Sequence, residues 1–162
     1  MQERYWNYMV QLKEWIFYVD AYSDASYKWD QRINIFLAVT SSSSIAAWAI
    51  WSKLGPLWAF VIALSQVVTA VKPYFPFNKR LPLLGQISSQ LQLLFNKADY
   101  QWYKVSNGDY TENEINDILF DLKKQYTDNI SKLLESDALP EVAAYRKTAG
   151  EKTSSYFSTQ YR

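Results

Sequence analysis

The chain has 162 residues, with 17 basic and 16 acidic side chains, seven Trp, 13 Tyr and eight Phe, and it contains neither Cys nor His. That length suits one compact unit, and the near-neutral balance is not that of a protein that coats nucleic acid. Without thiol or imidazole there are no disulfides, no zinc or haem ligation through those groups, and no catalysis by a thiol nucleophile or a histidine base.

Along the chain, Tyr5, Met9, Leu12, Ile16 and Val19 recur at three- and four-residue spacing, and Trp6 and Trp15 widen the stripe. This is the period of a helix with one apolar face, and it predicts an amphipathic N-terminal helix within a cytoplasmic segment 1–32. Glu3, Glu14, Asp20, Asp24 and Asp30 argue against its lying flat on anionic lipid and favour packing on other helices.

Between Arg32 and Lys72 the only ionised residue is Lys53, which separates the uncharged runs Ile33–Ser52 and Leu54–Val71. As helices these runs are each roughly 27 to 30 Å long, about the thickness of a bilayer's hydrocarbon core. Gly55 and Pro56 mark a tight turn, with Pro in the first turn of the second helix. Residues 33–71 are therefore predicted to form a transmembrane helical hairpin. Tyr27 and Trp29, the tip residues Trp48, Trp51 and Trp58, and Tyr74 sit where interfacial aromatic belts are expected. Lys28, Arg32, Lys72, Lys79 and Arg80 flank the open end, so the positive-inside bias places both termini in the cytoplasm of a multi-pass inner-membrane protein. The charged residues ahead of the first run do not read as a cleavable leader.

Both spans carry polar side chains. Asn34, Ser41 and Ser44 fall near one face of the first, while Ser65, Gln66 and Thr69 lie in the second. Asn34, Ser41, Ser44, Gln66 and Thr69 are candidate pore-lining residues, with helix-packing hydrogen bonds as the alternative for each. Two helices cannot enclose an aqueous path, so a pore requires a closed homo-oligomer, with a tetramer favoured.

Residues 72–162 read as a cytoplasmic helical region for oligomerisation and signal reception. Pro73, Pro76 and Pro82 interrupt the chain after the second span, and Leu84, Ile87, Leu91, Leu94, Ala98, Trp102 and Val105 then follow a nearly heptad spacing. Ser106 to Asp109 end that helix. Thr111 and Glu114 match a capping box ahead of Ile115, Leu119, Leu122, Tyr126, Ile130 and Leu133, and Leu139 and Pro140 punctuate the next boundary. The expected fold class is thus an all-α membrane protein: a two-helix transmembrane hairpin, an amphipathic N-terminal helix and a cytoplasmic C-terminal helical bundle.

Charge alternates in blocks, and residues 142–162 hold four basic groups against Glu151 alone. Tyr145, Arg146, Lys147, Lys152, Tyr156 and Arg162 are candidates for binding an anionic ligand, because cations attract phosphate and aromatic rings stack on bases. A basic tail docked on the acidic helix 109–141 is the plainer alternative. The four scattered glycines form no phosphate-cradling loop, and the carboxylate pairs lie on helix surfaces. No catalytic site, metal site or cofactor is expected, and the chain is read as a non-enzyme.

The order of parts resembles the SLATT family of two-transmembrane effectors from bacterial antiphage and conflict systems. The resemblance rests on Trp29, Asp30 and Arg32 ending the lead-in, the Ser-rich span reaching Trp48, the Pro73 exit, the Leu84 to Val105 helix, and Leu139 with Pro140. It implies an oligomeric pore that depolarises the bacterial inner membrane. It further implies gating by a nucleotide or short oligonucleotide signal from a nucleotidyltransferase partner, with similarity to the channel subunit of Hailong-type defence; duplex nucleic acid is not an expected partner. The rival expectation is a membrane-anchored adaptor that binds a cytoplasmic protein without conducting ions.

Overall fold

The computed structural model describes residues 1–50, 55–74, 77–135 and 139–161, with side chains in all of these except 42–50, 77–79 and 135. The described residues are almost all helical and include no strand. Helix α1 spans Gln2–Ile50, α2 Gly55–Val71, α3 Phe77–Asn107, α4 Glu112–Tyr126, α5 Lys132–Glu135 and α6 Ala143–Gln160. A 3₁₀ turn, Lys72–Tyr74, extends α2, and one π-helical turn, Thr127–Ser131, joins α4 to α5.

The length of α1 follows from its composition: from Gln2 to Ile50 there is neither Gly nor Pro, so nothing local ends the helix where the amphipathic pattern gives way to the apolar run. Helix α3 starts at Phe77 and contains Pro82, whereas the three prolines had marked residues 73–82 as a break. Pro82 has no N–H to donate to the carbonyl four residues before it, a single lost bond that the rest of a 31-residue helix absorbs.

The chain divides into two compact units, one of Met1–Ser23 with Pro82–Arg162, the other Asp24–Leu81. The first 23 residues therefore share a core with the C-terminal helices, while the apolar runs belong to the second unit.

In the first unit, α1 buries Tyr5, Met9, Leu12, Ile16 and Val19 against Leu84, Ile87, Leu91, Leu94, Phe95, Ala98 and Val105 of α3. The two helices run antiparallel. Gln2 Nε2 donates to the Val105 carbonyl at 2.7 Å, Tyr5 Oη to the Ala98 carbonyl at 2.9 Å, and Ser88 Oγ to Asp20 Oδ1 at 2.7 Å, so partners climb one helix as they descend the other. Gly108 at φ 78° ends α3 in the left-handed region that glycine adopts without strain. Thr111 then caps α4: its side chain accepts from the Glu114 backbone N–H, and Glu114 accepts from the Thr111 N–H at 2.7 Å. Those hydrogen bonds hold the Glu114 carboxyl below the usual carboxylate range. Helix α4 buries Ile115, Leu119 and Leu122, the π-turn buries Ile130, and α6 closes the core with Ala149, Thr153 and Phe157.

Among the described residues Tyr8 carries a buried side-chain hydroxyl without a hydrogen-bond partner, and burial, with Tyr126 adding to it, pushes its pKa up to about 12. A buried donor with no acceptor forfeits solvation without recompense. Tyr8→Phe is expected to stabilise the fold by about 1 kcal/mol near neutral pH. A folded pKa above the unfolded value of 10 means the unfolded chain ionises first, so stability present below pH 10 is lost as pH rises toward about 12. Thermal melts followed by circular dichroism should therefore show a shallower alkaline decline for Tyr8→Phe than for the parent.

Candidate functional site

In the second unit, α2 exposes two stripes. Leu57, Phe60, Leu64, Val67 and Val71 form one of large apolar side chains, and Ala59, Ala63, Gln66 and Ala70 form one of small residues around a single amide. Among the described residues one helix, Pro56–Tyr74, is long and apolar enough to cross a membrane, and only 6% of it is buried. A soluble core helix of that composition would be mostly covered.

Of the candidate pore residues, Asn34 is exposed and engaged on both sides: its Nδ2 donates to Asp30 Oδ2 at 2.8 Å, and its Oδ1 accepts from Lys72 Nζ. This links the middle of α1 to the end of α2. Ser41 is exposed and donates to the Ala38 carbonyl at 3.1 Å, and Thr69 is exposed and donates to the Ser65 carbonyl at 2.8 Å. Gln66 is exposed, with no hydrogen-bond partner among the described residues. The side chain of Ser44 lies outside the described residues. The buried polar side chains of the span helices are instead Thr40, donating to the Phe36 carbonyl at 2.9 Å, and Ser65, donating to the Ile62 carbonyl at 2.8 Å. Hydroxyls satisfied by their own helix need no water.

The described anion-binding candidates fall on α6 but do not converge on one site. Arg146 pairs with Glu141, and Lys147 with Glu151 at 4.0 Å. The Tyr145 ring stands edge-on to Tyr22 at 6.0 Å, and Lys152 is exposed. Tyr156 packs inward, edge-on to Phe157 at 5.3 Å. Arg162 lies outside the described residues.

Two features of the first unit were not singled out by sequence. The first is Lys13, only 7% exposed, whose Nζ lies 4.2 Å from the Tyr156 ring centre, 4.5 Å from that of Phe95 and 5.3 Å from that of Phe17. Three π faces from α1, α3 and α6 thus surround one ammonium. Burial lowers its pKa, while the negative charges of Asp20 and Asp99 pull it upward. Nearby, Trp6 of α1 meets Trp102, Phe157 and Tyr161 at 5.0, 4.9 and 5.1 Å between ring centres. The Tyr161 hydroxyl donates to Asp99 Oδ1, and burial followed by that carboxylate raises the Tyr161 pKa.

The second is a cavity of about 450 Å³ lined by Gln11, Glu14, Trp15 and Tyr18 of α1, Leu139 and Glu141 of the segment before α6, and Arg146. The four α1 residues occur at i, i+3, i+4 and i+7, one stripe of a helix. Tyr18 organises the opposite wall: its hydroxyl donates to the Pro140 carbonyl at 2.6 Å and accepts from the Val142 N–H at 3.0 Å. The spacing of Gln11 to Tyr18 was visible in the sequence; the wall from residues 139–146 was not, because it depends on a contact across more than 120 residues.

No family model, curated protein or solved structure matches the chain. The functional reading consequently rests on geometry and on the sequence resemblance.

Tyr18→Phe removes both hydrogen bonds from the segment before α6. It is expected to cost about 1 to 3 kcal/mol and to speed hydrogen exchange at the Val142 amide more than at amides of the α1–α3 core, as read by mass spectrometry.

Proposed function

We propose that the chain is a bacterial inner-membrane protein, anchored by the hairpin of residues 33–71, whose copies assemble into a regulated ion pore that depolarises the membrane in antiphage defence. The observation that carries this reading is the exposure of α2: a 19-residue apolar helix left almost wholly uncovered by its own chain calls for lipid or another copy. The bond between Lys72 and Asn34 supports a hairpin that returns its second helix to the starting side of the membrane, with both termini cytoplasmic. The exposed small stripe around Gln66 supports assembly, since small residues let helices approach closely in lipid and an unpaired amide there is costly. In this reading the first unit is the cytoplasmic bundle that receives the gating signal. A nucleotide or short oligonucleotide from a partner nucleotidyltransferase remains the signal implied by the resemblance, with Lys152 and the paired Arg146 and Lys147 as candidate cations for it.

A specific observation favours a second reading, a membrane-anchored adaptor. Thr40, Ser41, Ser65 and Thr69 all donate to carbonyls of their own helices, which satisfies them without an aqueous path.

Inducing the chain in bacteria loaded with a voltage-sensitive dye separates the adaptor from a pore that its signal holds closed. The pore reading predicts loss of membrane potential that Gln66→Leu abolishes while leaving membrane insertion intact. The adaptor reading predicts an undisturbed potential with both chains.

A further inference from the structure

The cavity beside Trp15 has a chemistry that neither the membrane reading nor an anionic signal uses. Two of its lining residues are carboxylates, Glu14 and Glu141, and one is a cation, Arg146, already paired with Glu141. Glu14 is half-buried and has no ion-pair partner among the described residues. A carboxylate without a counter-charge at a concave surface attracts a cation delivered beside it. The adjoining Trp15 is 41% exposed within the concave surface, and indole is the side chain whose π face best attracts an ammonium group. Leu139 adds an apolar wall, and the volume lies in the range of small-molecule sites.

We propose that this cavity binds a small aliphatic polyamine, with ammonium groups against Glu14 and the Trp15 indole and methylenes along Leu139. A phosphate-bearing ligand is disfavoured here, because the lining carries a net negative charge and its one cation is neutralised. Bound polyamine would bridge α1 and the segment that Tyr18 holds in front of α6, so occupancy would be felt by both. The proposal does not depend on pore formation.

The test is isothermal titration of the purified full chain in detergent with spermidine at low ionic strength. Expected are saturable binding and at least tenfold weaker affinity for both Glu14→Gln and Trp15→Ala. Gln11→Glu, which adds a carboxylate to the same exposed stripe, is expected to tighten binding several-fold and keeps the test decisive should either of the first two variants fail to fold. Heats that do not saturate, or affinities unchanged in these variants, would overturn the proposal. So would equal or tighter binding of Nα-acetyl-lysine methylamide, which would assign the cavity to a lysine of a protein partner instead.

Discussion

An apolar side chain left in water costs about 25 cal/mol for every Å² it fails to bury. Helix α2 leaves Leu57, Phe60, Leu64, Val67 and Val71 exposed among the described residues. That constraint governs how the rest of the chain is understood. In the proposed membrane reading that surrounding is lipid, and the polar atoms of the same unit gain their significance there, because a hydroxyl or amide in lipid must find a partner within the protein. Thr40, Ser65 and Thr69 find theirs in the preceding helical turn, and Asn34 in Asp30 and Lys72. Gln66, without one among the described residues, is the side chain on which the proposed assembly would most directly act.

Helix α1 connects this constraint to the first unit. Its opening residues contribute to a conventional core of interlocked aliphatic and aromatic side chains, and the same helix continues into the apolar run. Its backbone stays helical from Gln2 to Ile50. The core it enters is rich in rings, and three of them surround the buried Lys13 ammonium. Desolvation works against that ammonium while the π faces and the more distant Asp20 and Asp99 favour it, so Lys13 draws three helices around one charge.

Much of the helical core was legible in the sequence. The stripe from Tyr5 to Val19, the seam from Leu84 to Val105 and the residues Ile115, Leu119 and Leu122 are buried as their spacing requires, and the Thr111–Glu114 capping box starts α4. Periodicity reports which side of a helix is apolar but not which helix covers it. That is why the sequence predicts packing of the N-terminal helix on other helices without naming α3 as the one that covers it. The candidate site was less legible. Excess positive charge near α6 suggested an anion site, yet Arg146 is paired with Glu141 and Lys147 with Glu151. The cavity beside Trp15 arises only where α1 meets a segment more than 120 residues away in sequence.

The central claim is that α2 resides in lipid. Because the chain has no cysteine, single-cysteine variants can carry a spin label without background. The decisive measurement is the collisional accessibility of a label at Leu64→Cys in reconstituted vesicles, compared with one at Tyr103→Cys on the exposed surface of the first unit. The account predicts that the Leu64 label meets oxygen, which concentrates in hydrocarbon, and is shielded from a water-soluble nickel complex, with the Tyr103 label showing the reverse. A Leu64 label as open to the nickel complex as the one at Tyr103 would contradict it.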